Sequence, residues 1–207
     1  MTTALAGAAI LSVLYRFNSL PRDYDAYLVT NVTALLWIPL LLIAVVHRRE
    51  ASEFGLSMGD ARWGLRAAGL LFLVSLPAYL IASRMPDFQA YYPIWKQAAH
   101  DPAFFRYYEL TYGMYLFCWE FFFRGFLLFG LSKRLGPWIA VFVQAAAFGI
   151  MHLGKPGAEV AASFATGVVL GWVALRARSF LPGFLVHWAS AFTFDVLVIL
   201  AVGGGAL

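Results

Sequence analysis

The chain has 207 residues, of which 62% are hydrophobic and only 13% charged, with a formal net charge of +4 at pH 7. Soluble domains carry about 25% charged residues, so this much apolar surface excludes a water-soluble globule and predicts an all-α polytopic transmembrane bundle of about six to seven spans. The single cysteine, Cys118, excludes a disulfide framework and a cysteine metal site. The basic residues fall in short runs beside apolar segments, which is a pattern of membrane topology and not of nucleic-acid binding.

In chain order, residues 4–17 form a first apolar segment, read as a short span or interfacial helix. No basic residue precedes it and no small-residue cleavage site follows, as a signal peptide would require. Arg22-Asp23-Tyr24-Asp25 is a polar turn, and 26–46 is a clear span with a kink expected at Pro39. A loop over 47–66 holds Phe54-Gly55-Leu56, and 67–83 is the next span, with Pro77 inside it. Residues 84–109 read as a long aromatic-rich loop on the membrane surface, the bland alternative to a cover over a site. Four apolar segments close the chain, at 111–131, 137–153, 160–175 and 181–202. Gly136-Pro137 and Leu181-Pro182 mark helix starts, and Gly167-x-x-x-Gly171 predicts a close helix approach. Two parts result: 1–109, the N-terminal spans and interfacial loop, and 110–203, a four-helix core. Loops 47–66, 132–136 and 176–179 hold most of the basic residues, so they are expected in the cytoplasm, with the C-terminus outside.

Five side chains break the apolar pattern of the core. Glu120 and Arg124 lie four apart in one of its most apolar stretches, Cys118-Trp119-Glu120-Phe121-Phe122-Phe123-Arg124-Gly125. That spacing lets them pair, and an ionisable pair at membrane depth is a functional-site hypothesis or a structural lock between helices. His152 and His187 sit in apolar surroundings, and Glu159 follows in His152-Leu153-Gly154-Lys155-Pro156-Gly157-Ala158-Glu159. A lone histidine on an apolar face is more often a packing residue; two of them with carboxylates and an arginine point to a polar site. Water held between a carboxylate and an imidazole is activated for attack on a carbonyl, and a second imidazole can donate to the developing oxyanion. No His-Glu-x-x-His helix, Gly-x-Ser-x-Gly elbow or phosphate-binding glycine loop is present. A zinc site of two histidines and one glutamate stays open on ligand count, and proton transport along these groups is a competing chemistry. The absence of an inverted repeat weighs against a secondary transporter.

The order Glu-x-x-x-Arg-Gly, Phe-x-x-x-His and a histidine on the last helix resembles the CAAX-protease and bacteriocin-processing family of intramembrane endopeptidases, also called the Abi family. The resemblance covers residues 110–203, and Phe-Gly-Leu at 54–56 with Gly-Asp at 59–60 adds to it. It implies hydrolysis of a peptide bond in a membrane-associated protein or peptide, in contact with membrane lipid and not nucleic acid, in a bacterial inner membrane. It implies that Glu120 or Glu159 activates water together with His152, that His187 stabilises the oxyanion, and that Arg124 keeps Glu120 ionised. No cofactor is expected, with zinc the open exception. Two positions depart from the family pattern. Trp119 stands where the first of two adjacent glutamates, the presumed base, is usual; Ala191 stands four after His187, where Asn or Asp is usual. A member that has lost its base and serves as a membrane scaffold, regulator or immunity protein is the alternative reading. Glu159 is expected to compensate for Trp119, and Asp195 is a candidate partner for His187. One tension follows from the topology: His152 falls near the outer end of its helix and His187 near the inner end of its own. They meet only if helices are short, tilted or re-entrant.

Overall fold

The computed structural model describes residues 2–17, 23–203 and 205; Arg22, assigned above to the polar turn, lies outside the described residues. The described residues form helices and turns, with no strand among them. We number the helices α1 (Thr2–Phe17), α2 (Tyr24–His47), α3 (Ala61–Ala82), α4 (Pro86–Tyr91), α5 (Pro102–Leu135), α6 (Pro137–Ile150), α7 (Gly157–Ala177) and α8 (Leu181–Val202). Five of them, α2, α3, α5, α7 and α8, are long and apolar enough to cross a membrane, while α1 and α6 are shorter apolar helices. They form the all-α polytopic bundle expected, with five candidate spans, and the chain is an integral membrane protein.

Local chemistry sets the helix boundaries. Asp60 Oδ1 accepts from Trp63 N–H at 3.2 Å, and Asp101 Oδ1 accepts from Ala103 and Phe104 N–H at 2.9 and 3.1 Å. Each satisfies an otherwise orphan donor of a first turn. These caps correct two expectations: the 47–66 loop ends at Asp60, and the surface loop ends at Asp101, so residues 102–109 are helical. The remainder of that loop is partly ordered too, as α4 and a 3₁₀ turn at Lys96–Ala99. Pro39 does not break α2; it sits between two π-helical stretches, Thr33–Trp37 and Leu42–His47, which absorb the missing donor.

The segment α5 is the axis of the bundle. It is 34 residues long, and 78% of its most apolar window is buried, against 6% for α3. Its middle winds as a π-helix over Phe121–Leu127, immediately after Glu120. Gly136, at φ +81°, reverses the chain into α6. The close approach predicted from Gly167 and Gly171 is present: a Cβ on Gly167 would lie 2.9 Å from Ala145 Cα, and Gln144 Nε2 on α6 donates to Gly167 O on α7 at 2.7 Å. At the opposite end, Phe54-Gly55-Leu56 closes a 3₁₀ turn whose backbone docks on Gly125 of α5, where a Cβ would lie 2.8 Å from Phe54 O. Phe180 N–H donates to Gly55 O, which ties this turn to the α7–α8 connection.

Candidate active site

The site is built where α5 and α8 cross, each offering two positions four residues apart. Glu120 and Arg124 on α5 pair through Arg124 Nη1 and Glu120 Oε1 at 3.0 Å, both side chains fully buried. On α8, His187 Nδ1 lies 2.7 Å from the same Oε1. One turn earlier, a Cβ on Gly183 would lie 2.9 Å from Glu120 Oε2. Gly183 thus lets the backbone of α8 come close enough for His187 to reach a carboxylate on its neighbour. No other group hydrogen-bonds Glu120 Oε2 or Arg124 Nε and Nη2 among the described residues. The guanidinium instead lies 3.9 Å from the Phe148 ring centroid, a cation–π contact in a dry setting.

Phe148 is the hub of the second half of the site. Its ring centroid is 4.4 Å from that of His152 and 6.1 Å from that of His187. The two imidazoles therefore pack on one ring, and the topological tension is eased by length: α6 has only 14 residues. His152 follows in that turn. Its Nδ1 is 2.8 Å from Phe148 O, and a carbonyl only accepts, so Nδ1 carries the proton and Nε2 is left as an acceptor. The side chain is buried. Trp119 occupies the other side of this group, its ring 6.0 Å from His152 and 6.1 Å from Phe148.

His152 and His187 line one largely apolar cavity of about 470 Å³ between α3, α6, α7 and α8. Tyr92, Lys155 and Glu159 line it as well. The helix breaks after Ile150, so Glu159 does not continue the face of His152 but sits in the first turn of α7. There it accepts from the Tyr92 hydroxyl, 2.7 Å from each carboxylate oxygen, and from Lys155 Nζ at 2.7 Å. Burial pushes the Tyr92 hydroxyl well above its ordinary range, so it stays a donor. Lys155, which reads from sequence as a surface charge, is thereby part of the cavity wall. Asp195 does not partner His187; it is buried beside Glu109 and Tyr108 on α5, and Glu120 takes its expected place. Ala191 lines the cavity with no polar group to offer.

Sequence reasoning missed two contributors. Tyr92 lies in a segment whose many aromatics masked it, and its only signal is position beside Pro93. Gly183 carries the clearer one, a glycine one turn before a membrane histidine. As for a metal, no three His, Cys, Asp or Glu side chains converge as ligands among the described residues. Glu120 is committed to Arg124 and His187, and Glu159 to Lys155 and Tyr92. This donor set does not fit a site of two histidines and one glutamate.

Residues 109–193 match the family model described as Rce1-like, type II CAAX prenyl endopeptidase. No curated protein and no solved structure matches the chain. The family match supports a membrane-embedded protease of the CAAX type, working in a lipid environment on a protein or peptide substrate.

Proposed function

With residues 109–193 an Rce1-like segment, we propose that this protein is an intramembrane endopeptidase that hydrolyses a peptide bond in a membrane-associated protein by water activated at glutamate and histidine side chains. The observation that carries the reading is the convergence of His152 and His187 on one cavity, with Glu120 and Arg124 held behind His187. An apolar cavity of this size suits an extended lipid-embedded segment, and its few polar groups stand where a carbonyl would need them. Arg124 pairs with Glu120, Glu120 orients His187, and His152 offers an acceptor nitrogen to water. No step is assigned to a metal. The site belongs to the C-terminal core, 110–203, and the basic loops support a bacterial inner-membrane protein with its C-terminus outside.

The test compares wild type with His152→Ala at equal levels in the native host lacking its own copy, with new N- and C-termini mapped by mass spectrometry. Termini that arise only with wild type are the expected result and name the substrate. A phenotype rescued equally by both proteins, with no differing termini, would establish the second reading: a membrane scaffold, regulator or immunity protein. Trp119 in the place of the family's first glutamate is the observation that favours that reading.

A further inference from the structure

We propose that the general base of this protease is an imidazole, His187, and that Glu120 is a positioning residue that acts on the reaction only through it. The proposal rests on the endopeptidase reading above and assigns its central proton transfer.

Neither candidate carboxylate, Glu120 nor Glu159, presents itself to the cavity as His187 does. Glu120 has no exposed surface. Its Oε1 receives Arg124 and His187, and its Oε2 faces the backbone of α8 at Gly183. It does not line the cavity. The preceding position is Trp119, an indole packed on His152 and Phe148, with no basic atom. Glu159 does line the cavity, but both its oxygens accept the Tyr92 hydroxyl and one also accepts an ammonium. These donors tie the carboxylate to Tyr92 and Lys155 and not to either imidazole.

The two imidazoles differ in what stands behind them. His152 leans on a backbone carbonyl and has Lys155 as its charged neighbour. A proton there would sit beside an ammonium with no counter-charge of its own. His187 leans on the Glu120 carboxylate, which accepts from Nδ1 and leaves Nε2 as the acceptor. The same carboxylate stabilises the imidazolium once formed, the division of labour of a serine-protease histidine and its aspartate. His152 therefore holds the water and His187 takes its proton.

The step balances without a co-reactant. The water oxygen bonds to the peptide carbonyl carbon while one O–H bond breaks and its proton passes to His187 Nε2; the carbonyl π pair moves to oxygen. When the tetrahedral species collapses, that pair re-forms the carbonyl, the C–N bond breaks with its electrons going to nitrogen, and the nitrogen takes the proton from His187. A carboxylic acid and an amine leave, and His187 returns to its neutral form. This moves His187 from the oxyanion role that the family resemblance implies to the proton-transfer role.

The experiment uses membranes of the host lacking its own copy and carrying the full chain, read as the rate at which the wild-type-dependent termini appear. If wild type produces none, the endopeptidase reading fails and this proposal with it. Given wild-type cleavage, Glu120→Gln is expected to slow the rate by about 10³–10⁴-fold, because an amide favours the wrong imidazole tautomer; Glu120→Asp restores part of it. Glu120→Gln within about tenfold of wild type overturns the proposal. A second arm guards against misfolding. In His187→Ala, purified to confirm an unchanged melting temperature, added imidazoles should restore cleavage, at a rate that rises with their basicity. No rescue, rescue indifferent to basicity, or recovery of an inactive Glu159→Ala by formate overturns it and returns the base to a carboxylate.

Discussion

Two carboxylate–cation pairs flank the cavity, and they share one sequence spacing. Glu120–Arg124 lies in the core at 3.0 Å with both side chains fully buried; Lys155–Glu159 lies at the mouth at 2.7 Å with side chains 19% and 23% exposed. Each pair also holds one ring-bearing group, His187 in the first case and Tyr92 in the second. By distance alone the mouth pair is the tighter. Burial reverses the ranking of consequence. In the core no water competes for Glu120, so its charge is spent on a guanidinium and an imidazole, and it fixes the ring's tautomer. At the mouth, solvent shares the work and the pair is worth little. A short salt bridge is therefore a poor guide to the working residue; the informative feature is what else the buried carboxylate must satisfy.

The comparison can be broken most severely at the imidazoles. His152→Ala and His187→Ala are each expected to reduce cleavage by at least about 10³-fold while the protein still inserts; full activity in either would remove the mechanism. Next comes the core pair itself. Arg124→Met leaves Glu120 buried without its cation and should cost about 3–5 kcal/mol of stability, read as a lower melting temperature in detergent. Lys155→Met at the mouth should cost no more than about 1 kcal/mol, and equal losses would erase the distinction between the two pairs. Gly183→Ala sharpens it further. The added methyl would press on Glu120 Oε2 at 2.9 Å, so cleavage should fall about 10–100-fold by displacement of His187 with a smaller loss of stability. Tyr92→Phe removes one donor from Glu159 and is expected to change kcat/KM by less than about tenfold. Exhaustive chelation should leave the rate unaltered, since the donor set does not suit zinc; loss of activity restored by zinc would revive the metal reading.

Much of this was legible in the residues. Hydropathy located every helix long and apolar enough to cross a membrane, and the spacing Glu120–Arg124 announced its pair, because both depend on local sequence. The boundaries at 61 and 102 were missed for a local reason as well: aspartates cap helices there whose early residues carry charges, Arg62 and Arg66 in one and Arg106 and Glu109 in the other, that read as loop. What connects the halves of the site was not legible. Asp195 was the nearer candidate for His187 along the chain, yet α8 turns its first two turns toward α5, and Glu120 wins by a crossing that only packing decides. Glu159 likewise lost its expected register with His152 because Gly154, Pro156 and Gly157 end the helix between them.

The brevity of α6 has a consequence beyond the chemistry. Fourteen residues rise about 21 Å, while the hydrocarbon layer is about 30 Å thick. With Pro137 at one headgroup plane, the turn that carries His152 and Lys155 would stop short of the other, and lipids beside it would have to shorten or splay to cover the gap. Bilayer thickness becomes a setting of this enzyme. Short-chain lipids relieve the mismatch and let water stand close over the turn, whereas long-chain or sterol-rich membranes press hydrocarbon across it.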